Sequence, residues 1–252
     1  MDRRLLVTTA LLVGCGPPEA PRKLEKLCAY LFENARDGED DELAAGLENL
    51  DTWLAKNFEE ATDGYAIDQL SRSGVDALDN RSRTLEGLNG VAVASRIGHG
   101  IKPVVRVIAV GDATKVYGDL YLRYERDWDT NASCHVDQDC EWGEATIDAE
   151  ADYGLTTVES RYRSEVRWVE TEGGMAHIQR TWLLQPIEAL GVKTASQFYL
   201  GVSLPRGGRT NRLQASWISM TSELPISDDT ARNQTIKSLQ DTEVDIDEWL
   251  DG

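Results

Sequence analysis

Between Val116 and Met220 the chain alternates, apolar against polar, in run after run. The clearest run sets Val158, Ser160, Tyr162, Ser164, Val166 and Trp168 against Glu159, Arg161, Arg163, Glu165 and Arg167. Successive side chains of a strand point to opposite faces, so a period of two predicts a strand with one side in a core and one in water. Weaker runs of the same kind are Val105, Val107 and Ala109; Val116, Gly118, Leu120, Leu122 and Tyr124; and Ala145, Ile147, Ala149, Ala151 and Tyr153. Further strands are expected near 175–184, 197–204 and 213–221. Tyr153-Gly154, Glu172-Gly173-Gly174 and Pro205-Arg206-Gly207-Gly208 supply turn residues at hairpin spacing. The pattern predicts about seven strands, mostly antiparallel in sequential order.

Helical periodicity precedes the strands. Leu24, Leu27, Cys28, Leu31 and Phe32 recur at helical spacing before Asp37-Gly38, and Leu43, Leu47, Leu50, Leu54 and Phe58 mark a second helix over 41–61. A helix over 84–96 and another around 230–240 are also expected, with Val244, Ile246, Trp249 and Leu250 of the acidic tail docking on the body. The predicted fold class is α+β. An N-terminal helical hairpin (23–62) packs on a large, strongly curved antiparallel sheet (103–222), open or closed into a barrel. An acidic segment (227–252) completes a single domain over 23–252.

The first residues read MDRRLLVTTALLVGCG. A short basic start and an apolar run, too short to span a bilayer at about 20 residues, fit an export signal. Leu12-Val13-Gly14-Cys15 resembles the lipobox of bacterial lipoproteins at all its positions. The resemblance covers only residues 1–15. It implies removal of 1–14, a diacylglycerol thioether on Cys15 and an acylated amine, hence a bacterial envelope protein anchored to a membrane. Two or more acyl chains hold durably, at about 0.8 kcal/mol per buried CH₂. Gly16, where enteric bacteria use Asp for inner-membrane retention, points to the outer membrane. Pro17, Pro18 and Pro21 make a stiff tether over 15–22. The formal charge of −18 argues against nucleic acid and against charge-driven docking on anionic lipid.

An exported chain meets oxidising conditions, where neighbouring thiols pair. In CHVDQDC the five-residue spacing between Cys134 and Cys140 suits a disulfide-closed loop within 127–143. Zinc would want four ligands, and only His135 joins the two thiols. Cys28, on the apolar face of the first helix, is expected to be a buried free thiol. Asp127, Asp129, Asn131 and Ser133 alternate like the start of an EF-hand loop and form a weak calcium candidate. Ala132 and Gln138 stand where that loop needs Gly and Glu. No other cofactor is expected.

No nucleophile elbow, zinc-protease helix or phosphate loop appears. His177 is expected to face solvent. Arg180 falls in an otherwise apolar register with Ala176, Ile178, Trp182 and Leu184, and a charge there needs a partner or a water-filled space. Tyr124, Tyr153, Tyr162, Trp168 and Trp217 hold similar inward registers. Tyr162, Trp168, Arg180 and Trp182 are therefore the candidate ligand pocket. The chain is expected to be a non-catalytic binding or envelope-assembly module, with an envelope protein as partner. The alternatives are a lipocalin-like carrier of a small anionic amphiphile and a hydrolase built on a carboxylate site.

Overall fold

The alternating runs form one antiparallel sheet in the computed structural model, which describes residues 19–79, 81–118, 120–152, 154, 156–222 and 227–252. Cys15, the export signal and Tyr153 lie outside the described residues. The strands are β1 (Tyr65–Ile67), β2 (Leu88–Ile97), β3 (Tyr121–Trp128), β4 (Trp142–Asp152), β5 (Thr157–Thr171), β6 (Gly174–Leu183), β7 (Ile187–Ala189), β8 (Val192–Arg206) and β9 (Arg209–Ser222). Their order is β1-β2-β9-β8-β6-β5-β4-β3, with β7 on β8. The end strands β1 and β3 do not pair, so among the described residues the sheet is open rather than a closed barrel. It holds nine strands instead of about seven.

Two helices cover one face. In α1 (Leu24–Asn34) the residues Leu24, Leu27, Cys28, Leu31 and Phe32 are fully buried. α2 (Asp40–Thr62) begins with Asp40, Asp41 and Glu42, whose charge complements the positive helix end, and buries Leu43, Leu47, Leu50 and Leu54. These side chains meet Ile178, Trp182, Phe198, Leu200, Val202, Leu213, Ala215 and Trp217 in one continuous core. Phe32 packs edge-on against Phe198 and Trp217, at 5.9 and 5.6 Å.

The opposite face is polar. Strand register lines up His177, Ser203, Arg212 and Ser95 in one row, and Gln179, Gly201, Gln214 and Val93 in the next. All but Gly201, Val93 and Ser95 are polar groups classed as buried. This face is closed by α4 (Ile101–Ile108) and α6 (Asp228–Asp251), which carry Val104, Val107, Ile108, Leu239 and Ile246.

Four expectations are corrected. The 84–96 helix is β2, whose Val91, Ala92, Val93 and Ala94 are all buried because both faces are covered; such strands lose their alternation. The strand after Pro103 is α4. Pro103 falls in its first turn, where the missing N–H is not needed. The C-terminal helix does not stop near 240: α6 runs on to Asp251, buries Leu239, Glu243 and Ile246 and packs Leu250 on the body, while Val244 and Trp249 stay exposed. The strand begun at Val116 starts only at Tyr121.

Candidate functional site

A groove of about 410 Å³ opens on the hairpin-covered face beside β4, β5 and β6. Its walls carry four arginines, Arg36, Arg81, Arg163 and Arg180, and four acids, Asp37, Asp79, Glu144 and Glu165. Register sets Glu144 directly opposite Glu165 on adjacent strands. Like charges so placed repel; Arg36 bridges them, and Arg180 and Arg163 each neutralise one. Arg180 Nε meets Glu165 Oε2 at 2.5 Å, and its Nη1 donates to the Phe32 carbonyl at 3.2 Å. Arg36 Nη1 meets Glu165 Oε1 at 2.9 Å and also pairs with Glu144 Oε1. Arg163 pairs with Glu144 Oε2 and with Asp129. Each of the four oxygens of the two glutamates is thus engaged by a guanidinium.

The opposite wall comes from the segment after α3 (Arg72–Asp76). Arg83 clasps Asp79 through both nitrogens, at 2.5 and 2.6 Å, and Trp182 Nε1 donates to Asp79 Oδ2 at 3.3 Å. Burial alone would raise the Asp79 carboxyl, but the hydrogen bonds and charge of Arg83 outweigh it and hold the group below its ordinary value. Leu78, Trp182 and Leu184 give the groove an apolar flank, and Arg81 is 57% exposed beside it.

The four pocket candidates are divided between the two faces of the sheet. In the β5–β6 ladder Tyr162 pairs with Leu183 and Trp168 with His177, whereas Trp182 pairs with Arg163 and Arg180 with Glu165. Arg180 and Trp182 therefore line the groove, and Tyr162 and Trp168 lie behind it. Tyr162 donates to Gln197 Oε1 at 3.3 Å. Of the other inward aromatics, Trp217 belongs to the apolar core. The partners Asp79, Arg36 and Glu144 were not signalled by any local pattern. They lie 36 to 144 positions from Arg180 and are joined to it only by the fold.

On the polar face Cys134 and Cys140 are disulfide-linked, with Cα atoms 5.3 Å apart, and Cys28 is free and buried. Burial, then Glu25, pushes the Cys28 thiol well up. The bridged loop carries α5 (Ala132–Val136), capped by Asn131 Oδ1, which accepts from Ser133 N at 3.0 Å. Of the calcium candidates, Asn131 is thus occupied with the cap, with Ser133 Oγ donating to it at 3.0 Å. Asp129 is paired with Arg163, and Asp127 is an exposed position of β3. Among the described residues no three His, Cys, Asp or Glu side chains gather as a metal-binding group.

His177 is not solvent-facing but 1% exposed, and α5 drives His135 against it. The two Nε2 atoms stand 3.0 Å apart. Trp128 stacks on His135 at 5.9 Å, and Trp168 meets His177 edge-on at 5.0 Å while donating Nε1–H to the His135 carbonyl at 2.7 Å. Burial lowers both imidazoles, His135 to about 4 and His177 well below its ordinary value, the latter aided by His135 and Arg212. Both are neutral at pH 7.

No family model and no curated protein matches this chain. Among solved structures, it is similar to a STAR-related lipid transfer protein fragment from Xanthomonas axonopodis, with 13% identity and a TM-score of 0.46 over 68% of this chain and 97% of that one. The human StarD13 lipid transfer and protein localization domain gives 9% identity and a TM-score of 0.42 over 80% and 95%. A START superfamily protein from Mycobacterium smegmatis gives 8% and 0.44 over 64% and 97%. At these values the likeness is not evidence of a shared ligand or activity.

Proposed function

We propose that this chain is a non-catalytic binding module of a bacterial envelope, held at the membrane by lipid on Cys15, which receives a partner polypeptide in the charged groove. The observation that carries the reading is the groove itself: about 410 Å³, with arginines and carboxylates in equal number on a chain of net charge −18. A purely anionic or cationic partner would meet as much repulsion as attraction there. A polypeptide segment bearing both signs matches it, because complementary charge fixes register and partner choice more than raw affinity. The glutamate pair supports binding over hydrolysis. Paired-carboxylate catalysis needs an oxygen free to give or take a proton, and the four oxygens here are all held by arginine.

Photo-crosslinking in cells tests the reading. A photoreactive residue in place of Leu78 should give one discrete protein adduct, and the same residue in place of Val244 on the outer side of α6 should not. Equal labelling from both positions, or none from either, sinks the groove. The anchor is tested apart from it: Cys15→Ala should move the protein from the membrane to the soluble fraction. A small anionic amphiphile is the second occupant, favoured by the flank of Leu78, Trp182 and Leu184 beside Arg81. Native mass spectrometry would find it co-purified and lost on Arg81→Glu.

A further inference from the structure

Most of the charge in the groove is already paired, and the charge left over has an order. Glu144 and Glu165 are held by Arg36, Arg163 and Arg180. Asp79 is held by Arg83 through both oxygens. Two lining charges remain. Asp37 is exposed, and among the described residues no cation pairs with it. Arg81 reaches Asp79 only at 3.9 Å and uses one nitrogen on the Leu184 carbonyl, at 3.0 Å. A guanidinium carries five N–H donors, so most of those of Arg81 stay open to a ligand.

These two charges mark opposite ends of one strand face. Arg180, Trp182 and Leu184 line the groove at alternate positions of β6 and its continuation, where Leu184 N–H donates to the Arg161 carbonyl at 2.8 Å. At about 3.3 Å per residue the three span roughly 13 Å. Asp37 follows Arg36, which shares Glu165 with Arg180, and so stands at the Arg180 end. Arg81 stands at the Leu184 end through its bond to that carbonyl. Between them Ala77 and Leu78 make an apolar wall beside Trp182. Resting on the polypeptide reading above, we propose that the groove selects an extended segment with a basic, an apolar and an acidic residue at alternate positions, the basic one meeting Asp37 and the acidic one Arg81. In an extended segment alternate side chains share one side, and the first and fifth lie the same roughly 13 Å apart. Exposed ion pairs add little affinity, but they fix register and partner choice. Asp37 and Arg81 are thus specificity-determining residues.

Fluorescein-labelled nonapeptides of glycine and serine are the probes, binding to the full chain carrying Cys15→Ser and read by fluorescence anisotropy. One carries lysine, leucine and glutamate at positions three, five and seven, and is made in both chain directions. Others carry two lysines or two glutamates around the leucine, or the three residues adjacent. The spaced lysine–leucine–glutamate probe, in one direction, should bind about threefold or more tighter than the others. Arg81→Glu should shift the preference to the two-lysine probe, and Asp37→Lys to the two-glutamate probe. A merely structural role would produce no such exchange of preference, and both side chains are exposed, so the fold is not at stake. Equal binding of all probes, binding of none, or an unchanged preference in both variants overturns the proposed order. The polypeptide reading itself fails separately, by the missing adduct at Leu78 in cells, which does not depend on these probes.

Discussion

On one face of the sheet Phe32 presses between Phe198 and Trp217 in a continuous apolar core, with charged contacts only at the groove along its edge. On the other, Arg212 donates to Glu243 of α6 at 2.9 Å and to Tyr199 and Ser203, while Ser95 donates to the second Glu243 oxygen at 2.7 Å. Gln214 adds hydrogen bonds to Glu243 and to the Leu239 carbonyl. Both faces are closed by helices, but the first closure is non-directional and the second is addressed. An apolar face accepts any helix with enough leucines. A buried guanidinium accepts one carboxylate in one place, and costs several kcal/mol if it is missing. The hairpin supplies bulk stability, and α6 supplies specificity of position.

The largest effect expected from breaking this contrast is at Glu243. Glu243→Ala leaves Arg212, 2% exposed, without its counter-charge, and should cost about 3–5 kcal/mol in urea unfolding. The paired change Arg212→Leu with Glu243→Leu should recover most of that, which a simple loss of packing would not. On the apolar face Leu47→Ala should cost about 2–4 kcal/mol, as cavities do, and no second substitution to another residue type should be required to rescue it beyond refilling the volume. Removing the Cys134–Cys140 bridge by a double serine substitution should cost about 2 kcal/mol, the low end expected for a short closed loop, and should show first as hydrogen exchange at α5.

The most diagnostic effect is in the pH profile. His135 falls from an ordinary value of 6.5 to about 4 on folding because it is buried. The unfolded chain therefore binds the proton more readily. The contribution is whole above about pH 6.5 and drains away as the pH falls toward 4. His135→Phe should flatten that part of the stability curve, and an unchanged slope would mean that the imidazole is not buried in solution.

Much of this architecture was legible in the sequence, for identifiable reasons. α1, α2 and β4 to β9, apart from the three-residue β7, show their periods because one side of each meets water or a uniformly apolar layer. β2 hid because both its faces are covered. α4 hid because five of its eight residues are Val or Ile, which read as strand. The end of α6 hid because Glu243 occupies a buried position in the row Leu239, Glu243, Ile246. The pocket was misread by parity. Within β5 and within β6 the alternation was read correctly, but Thr171 pairs with Gly174 across a two-residue turn, so even-numbered residues of one strand face odd-numbered residues of the other. The disulfide was readable from its spacing. The groove was not, because Arg36, which joins its two glutamates, lies more than a hundred positions from both, and the Asp79 wall is as far from Arg180.

α6 follows all nine strands in chain order. While the chain is being made residue by residue, the hairpin and its apolar core can assemble as soon as β9 has emerged. Arg212 then waits, uncovered, for a carboxylate thirty-one positions further on. Until that helix arrives the nascent protein is half closed, with a polar flank open to water. Its completion is a discrete late event in folding.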